Sequence, residues 1–384
     1  MALNIICYFQ EVEPNPSAVA IRAKFFIQAL ESKLNKFDIR IKVLTATEID
    51  LQDSELVKYI SFSGGRSDEM TSVANRILAE FKFGLKAFFW VIRNKKNAAL
   101  VISTPNYIPS LFLSLAAFMS RVPYVLDVRD AYPEAYAQSG LIKCNTWIYK
   151  IFSRASNFMY RHAASITTAT EGLKGCISGF KDNVTCIYNG FPSAFTGMSE
   201  PKHSKFTVCF HGVMGFFQDI EKLAELIQHP ELSDVDFIII GYGRKSALIE
   251  SISKNNCRYL GRLSYADTIK QISKCHLGIS LRVVSQISFD SFPVKVWEYL
   301  GLGIPSLVYP ESEASKFLQS NNCGIQLSSV EIDELTKIIL QLKLDGRRYQ
   351  GMVKSCREVH PTYSRESLSG KFAEVVRNSF KIGL

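Results

Sequence analysis

Phe206-Thr-Val-Cys-Phe-His-Gly-Val-Met-Gly-Phe-Phe-Gln-Asp-Ile220 decides how the rest of the chain is read. It opens as a short β-branched and aromatic run, passes through Gly212 and Gly215, and leads into an amphipathic pattern that continues to Gln228. Strand, tight turn and helix in that order make the first half of a βαβ unit. A glycine turn at that place also brings backbone N–H groups and the positive end of a helix dipole together, which suits a diphosphate. G-x-x-G is looser than a dinucleotide fingerprint, and an ordinary tight turn explains it equally well.

Downstream the pattern repeats, with strands expected near Asp236 to Ile240, Arg258 to Leu260, Leu277 to Leu281 and Ser306 to Tyr309, and helices between them. The turn Ile240-Gly-Tyr-Gly-Arg244 resembles the first, and for Gly241 and Gly243 a close backbone turn is the favoured reading. Upstream, strands are expected near Ile5 to Phe9, Ile39 to Leu44, Ala99 to Ser103, Tyr124 to Val128, Ser165 to Thr168 and Thr185 to Tyr188. Such alternation predicts an α/β chain with parallel sheets, here two Rossmann-like domains without a fixed-period repeat. Asn189 to Ser204 combines turn dipeptides with low periodicity and is the expected linker. The domains are therefore expected at 1–196 and 197–360, with 361–384 a helix returning to the first.

A length of 384 residues calls for more than one core. The 47% hydrophobic and 21% charged fractions are globular values, and no uncharged apolar run reaches a membrane span. The N-terminus Met-Ala-Leu-Asn-Ile-Ile-Cys reads as a first strand of a cytoplasmic protein rather than a signal peptide. Nine cysteines lie singly, with no C-x-x-C, so reduced, mostly buried thiols are expected; the six dispersed histidines show no metal spacing. The net charge of +9 draws the chain to something acidic. Phe81 to Lys96 and Trp147 to Arg161 mix aromatics with cations at helical spacing, which suits an anionic membrane surface, or a domain helix whose aromatics face the core. No nucleic-acid motif is present.

The remaining motif is Ser288-Phe-Asp-Ser-Phe-Pro-Val-Lys-Val-Trp-Glu-Tyr-Leu-Gly-Leu-Gly-Ile-Pro-Ser-Leu-Val308. Pro293 is expected at the first helical position, with the free N–H groups of that helix beside Asp290. Lys295 then sits where a cation is disfavoured by about 0.3–1 kcal/mol unless an anion occupies the helix mouth. Alternatively, Lys295 pairs with Glu298 on a solvated face while Val294, Trp297 and Gly301 pack inward. Ligands of open α/β sheets collect at the carboxyl ends of strands, where these turns meet. Glu298 suits a ribose diol, Lys295 and the glycine amides a diphosphate, and Asp290 sugar hydroxyls. Arg282 reaches either phosphate or a surface carboxylate.

Taken in order, the Gly-x-x-Gly loop, Ile-Ile-Gly-x-Gly, Tyr259-Leu-Gly-Arg-Leu-Ser264, Phe-Pro-Val-Lys within an acidic-x7-Glu frame, and Gly-x-Gly-Ile-Pro resemble the retaining GT-B glycosyltransferases of family 4. Pro14-Asn-Pro-Ser-Ala-Val-Ala-Ile-Arg22, Tyr124-Val-Leu-Asp-Val-Arg-Asp-Ala-Tyr-Pro-Glu134 and Ile187-Tyr-Asn-Gly190 look like acceptor-domain landmarks of its bacterial surface-polysaccharide branch. The resemblance covers nearly the whole chain. It implies a GT-B fold and transfer of a hexosyl or N-acetylhexosaminyl group, with retention and without metal or cofactor. The donor would be a nucleoside diphosphate sugar, with UDP favoured, and the acceptor a polyprenyl-diphosphate-linked glycan at the inner face of the cytoplasmic membrane. It places Glu298 on ribose, Asp290 on the donor sugar, and Gly212, Gly215, Gly241, Lys295 and Arg282 around the diphosphate. Ser17, Arg22, Asp127 and Arg129 fall on the acceptor side. The chain departs from the family in carrying Asp290 where Glu is usual and Phe216, Phe217 and Gln218 where Arg and Lys commonly follow the loop. Lys295 and Arg282 would then carry more of the phosphate charge.

Departure of a nucleoside diphosphate develops negative charge that a fixed cation and helix N–H groups stabilise. Asp130, after a strand end and before Pro133, is the candidate for orienting or deprotonating the acceptor; Arg129 either assists or pairs with Asp130 or Glu134. Two other readings share the donor site: a nucleotide-sugar epimerase of this fold, and a nucleotide-sugar binding protein without turnover. A dehydrogenase is disfavoured, since no G-x-G-x-x-G follows the first strand.

Overall fold

The computed structural model describes residues 2–13, 17–46, 52–62, 73–104, 106–138, 140–195, 197–198, 200–328, 331–359 and 361–383, with the backbone alone for 73, 287 and 361. The chain divides into two compact units, Met1–Tyr188 with Glu366–Leu384, and Asn189–Arg365. The first exchange of units falls ahead of the expected 196/197 boundary because Phe191 is fully buried against Gly301, where even a Cβ would meet its ring at 2.5 Å. The second falls after the expected 360/361 boundary because Arg365 is held by Gly190, Tyr265 and Glu298. Thr196 and His360, at which the expected domains end, lie outside the described residues, as do Pro14, Asn15 and Pro16.

The first unit carries β1 (Leu3–Tyr8), β2 (Ile39–Thr45), β3 (Val57–Ser61), β4 (Ala98–Ser103), β5 (Tyr124–Val128), β6 (Ser165–Thr168) and β7 (Val184–Cys186). They form one sheet in the order β3-β2-β1-β4-β5-β6-β7. The second carries β8 (Thr207–Val213), β9 (Asp236–Tyr242), β10 (Cys257–Tyr259), β11 (Leu277–Leu281), β12 (Ser306–Tyr309) and β13 (Gly324–Gln326), in the order β10-β9-β8-β11-β12-β13. All named strand pairs are parallel. Parallel sheets need both faces covered, and β4 and β5 are buried at every position. Sequence patterning finds eleven of these strands and misses β3 and β13, short edge strands only partly buried.

In each sheet the order reverses beside the first strand, between β1 and β4 and between β8 and β11. A crevice opens at the carboxyl ends of strands at such a point. The helix Arg365–Ser379 belongs, from Glu366 onward, to the first unit, where Leu368, Phe372, Ala373 and Val376 join its core. Phe372 stacks on Phe26 with ring centroids 3.7 Å apart. Among the described residues no helix is long and apolar enough to cross a membrane. All nine cysteines are free.

Candidate nucleotide-sugar site

The opening motif folds differently in detail from its reading. β8 runs through Gly212 to Val213, so Gly212 is a strand residue and only Gly215 lies in the turn. Gly212 pairs with Gly241 in register, and the two approach so closely that a Cβ on Gly241 would lie 1.9 Å from the Gly212 carbonyl oxygen. Gly241 (φ +146°) and Gly243 (φ +141°) are thus required by backbone contact, the latter against Met214. The helix that follows, Ile220–Ile227, is capped by the Asp219 carboxylate, which accepts from the Lys222 amide. An anion already occupies that helix end, so its dipole is not offered to a diphosphate.

The positive groups come instead from the helix Val294–Gly301. Pro293 is its N-cap (φ −60°, ψ 139°), one position ahead of the expected place, and the first helical residue is Val294. From Lys295 to Gly301 every residue is buried, with Trp297 stacked on Phe292 at 3.9 Å. The inward packing of Trp297 and Gly301 is as expected, but Lys295 shares it, and no Lys295–Glu298 surface pair exists. Lys295 is 8% exposed; its Nζ lies 3.7 Å from the centre of the Phe210 ring and donates to Gln218 Oε1 at 3.0 Å. Burial, and then the neighbouring charge of Arg282, pull its pKa well below the usual lysine value, against the opposing pull of Glu298. A cation buried beside another cation is destabilised until an anion joins them.

Arg282 follows β11 and donates through Nη1 to Ser291 Oγ at 2.6 Å. Its backbone bridges Gln218, so the loop carrying Phe216, Phe217 and Gln218 is drawn over the strand end. Phe217 lies 6.0 Å from the Arg282 guanidinium. Asp290 is half-buried, closes the short helix Gln286–Phe289 and accepts from Gln286 Nε2 at 2.7 Å.

Glu298 is 2% exposed. Its Oε1 accepts from Arg365 Nη2 at 3.2 Å, and its Oε2 lies 3.3 Å from His211 Nε2 in a geometry too poor for a hydrogen bond. Burial, with a contribution from Lys295 and against Glu298, lowers His211 to about 4, so the imidazole is neutral near pH 7. Arg365 also donates to Tyr265 Oη at 3.0 Å and, through Nε, to the Gly190 carbonyl at 3.2 Å. His211, Gln218, Tyr265 and Arg365 were not assigned from sequence. His211 stood inside the quoted motif, whereas Arg365 is 67 positions from Glu298 and no local pattern links them.

The acceptor-side expectations fare differently. Ser17 is the N-cap of Ala18–Leu34, accepting from the Ala20 amide and donating to Glu11. Arg22 and Asp127 form a buried pair, which takes both out of reach of an acceptor. Arg22 Nε and Nη2 donate to Asp127 at 3.1 and 2.8 Å, and Ser103 and Thr167 donate to the same carboxylate at 3.0 and 2.8 Å. Burial raises the Asp127 pKa, but the charge and hydrogen bonds of Arg22 outweigh it and hold the carboxyl below its ordinary value. Asp130 is exposed, and Arg129 is partly buried just after β5.

No family model matches the chain. A probable glycosyltransferase of Pseudomonas aeruginosa, WbjE, is 26% identical over 319 residues, covering 76% of this chain and 74% of its own. HepE from Anabaena, solved with UDP-glucose, superposes with a TM-score of 0.69 at 15% identity, covering 98% of this chain and 100% of its own. WaaG, a glycosyltransferase involved in lipopolysaccharide biosynthesis, gives 0.68 at 12% identity over 97% of this chain and 99% of its own. Sucrose-phosphate synthase from Thermosynechococcus elongatus gives 0.72 at 12% identity, with 99% of each chain covered. Its two parallel-sheet units have the GT-B fold, and over 76% of its length the chain is similar in sequence to a probable glycosyltransferase.

Proposed function

We propose that the protein transfers a hexosyl or N-acetylhexosaminyl group from a UDP-sugar, with retention and without a metal, to a polyprenyl-diphosphate-linked glycan in surface-polysaccharide synthesis. The observation that carries the donor half is the juxtaposition of Lys295 and Arg282 at the carboxyl end of β11, with a buried lysine held at a cost that a diphosphate would relieve. As the sugar leaves, charge accumulates on the diphosphate, and a preorganised cation in a water-poor setting stabilises it most. Glu298, oriented by Arg365, is the partner for ribose, and Asp290 for the sugar. HepE's complexes with UDP, UDP-glucose and glucose support UDP as the nucleotide, and the names of WaaG and WbjE support a bacterial glycan acceptor.

The membrane half rests on three helices of the first unit, Val73–Arg93, Tyr107–Ser120 and Trp147–His162. Phe83, Ala87 and Met159 face the core, but Phe81, Phe89, Phe118, Met119 (62% exposed), Trp147 (72% exposed) and Ile151 remain at the surface among Lys82, Lys86, Arg121, Lys150 and Arg154. Exposed aromatics edged by cations suit an anionic lipid surface, which would hold the enzyme on the cytoplasmic face. UDP and GDP should be compared for thermal stabilisation, and labelled UDP-sugars incubated with a polyprenyl-diphosphate glycan extract. Preferential stabilisation by UDP and acceptor-dependent labelled product are expected. Product without acceptor, or nucleotide binding without product, would sink the transferase reading.

A further inference from the structure

His211 ends the buried stretch of β8, and the diphosphate chemistry leaves its imidazole unused. The side chain is 10% exposed and meets the Tyr299 ring at 90°, with ring centroids 5.2 Å apart. Tyr299 in turn donates through Oη to the Cys209 carbonyl at 3.2 Å, on the same strand as His211. The imidazole is thereby fixed between β8 and the helix Val294–Gly301, both regular elements. Its Nε2 is buried and has no hydrogen-bond partner among the described residues, although Glu298 Oε2 lies only 3.3 Å away.

Glu298 is held from its other side. Arg365 Nη2 donates to Oε1 at 3.2 Å, and the Tyr265 hydroxyl, itself accepting from Arg365 Nη1 at 3.0 Å, lies beside the carboxylate. An ionised carboxylate has about four acceptor positions, so these two neighbours leave capacity on it. A neutral imidazole beside a carboxylate carries its proton on the nitrogen that faces it, here Nε2. A donor and an acceptor are thus buried next to each other without completing a bond, which is a costly arrangement for the protein alone. A hydroxyl satisfies both at once, donating to Oε2 and accepting from Nε2–H; an ammonium group can only donate and a carbonyl only accept. The Lys295 side chain runs past the adjoining Gly212, where a Cβ would lie 3.6 Å from its Cε. The imidazole and the carboxylate therefore stand next to the cation assigned to diphosphate, where the ribose of a nucleoside diphosphate belongs.

We propose that His211 is a specificity-determining residue for the donor: its Nε2–H donates to a ribose hydroxyl that at the same time donates to Glu298, so that the pair selects a ribonucleotide over its deoxy counterpart. The proposal rests on the donor reading of Lys295 and Glu298. A purely structural His211, one that only keeps Glu298 in place, would affect every nucleotide alike. Recognition affects only those that carry the hydroxyl.

The full chain would be titrated calorimetrically with UDP, 2′-deoxy-UDP and 3′-deoxy-UDP, or with the matching guanosine series if GDP is the nucleotide bound. Wild type should bind at least one deoxy form about tenfold or more weakly than the parent nucleotide. In His211→Phe that gap should shrink by about tenfold, the parent losing affinity while that deoxy form keeps it. In His211→Gln, whose side-chain amide nitrogen reaches the place of Nε2, the gap should return. A measurement on the wild type accompanies these: the His211 Nε2 resonance, assigned by its absence from His211→Gln, should shift with the parent nucleotide and not with that deoxy form. Equal affinity of wild type for all three, equal losses of all three in His211→Phe, gaps unchanged in that variant, or an Nε2 resonance indifferent to the hydroxyl would overturn the proposal. Wild-type protein that binds neither UDP nor GDP would defeat the donor reading and this inference with it; nucleotide binding with a ribose preference untouched by His211 would defeat this inference alone.

Discussion

Arg22 with Asp127 in the first unit, and Arg365 with Glu298 in the second, are both arginine–carboxylate pairs with side chains at most 3% exposed. They differ in what surrounds the carboxylate. Asp127 accepts twice from Arg22 and once each from Ser103 and Thr167, so its lone-pair directions are filled by protein donors. Glu298 has one arginine contact and the Tyr265 hydroxyl beside it, and it faces a neutral imidazole that makes no proper hydrogen bond to it, with a buried lysine close by. A saturated pair is part of the framework. An unsaturated one, held beside two cations in a switch-point crevice, has capacity left for a ligand.

The largest effect expected of that difference is on stability. Asp127→Ala strands Arg22 in the core and should cost about 3–5 kcal/mol, seen as a large drop in the denaturation midpoint. A small drop would mean that the first pair is not framework. Next, Lys295→Met should lower transfer by about 10²- to 10³-fold, or about 2.7–4 kcal/mol of transition-state stabilisation. The same change should leave the midpoint equal or higher, because it removes a buried cation whose charged form the fold disfavours. Turnover surviving in Lys295→Met would misplace the phosphate partner.

His211 sharpens the comparison through pH. Its folded pKa of about 4 lies below the ordinary 6.5, so the unfolded chain binds the proton more readily. Stability contributed above pH 6.5 is therefore lost as pH falls towards 4, by up to about 3 kcal/mol. His211→Gln should make the stability profile shallower in that window, leaving the share of His276, which burial also lowers to about 4, whereas Asp127→Asn should not; denaturant midpoints from pH 4 to 7.5 measure both. The smallest effect is on the membrane face. Trp147→Ser should weaken binding to anionic vesicles by about tenfold, from loss of one apolar side chain's burial, without altering UDP stabilisation.

Much of the fold was legible because parallel strands buried on both faces are written as continuous apolar runs. The wholly buried Ala98–Ser103 and Tyr124–Val128 were found within a residue. β3 and β13, edge strands with a single buried position each, are missed, although the edge strands β7 and β10, no longer than either, are found. Asp290, Lys295 and Glu298 could be picked out by spacing, since they share one loop and one helix. Spacing could not tell that Lys295 turns inward onto Phe210, that Gly212 belongs to the strand, or that Asp219 caps the helix first thought to hold phosphate. Arg22 and Asp127 read in the sequence as acceptor-side landmarks. Their pairing across 105 positions makes them framework.

By itself the sequence determined the α/β alternation, the two-domain plan and the acidic–lysine–acidic segment, because periodicity, turn residues and short-range spacing are local properties. Tertiary structure alone decided which charges are saturated and which are left open. Desolvation and hydrogen-bond completion depend on neighbours far away in the chain: Arg365 on Glu298, Gln218 on Lys295, Thr167 on Asp127.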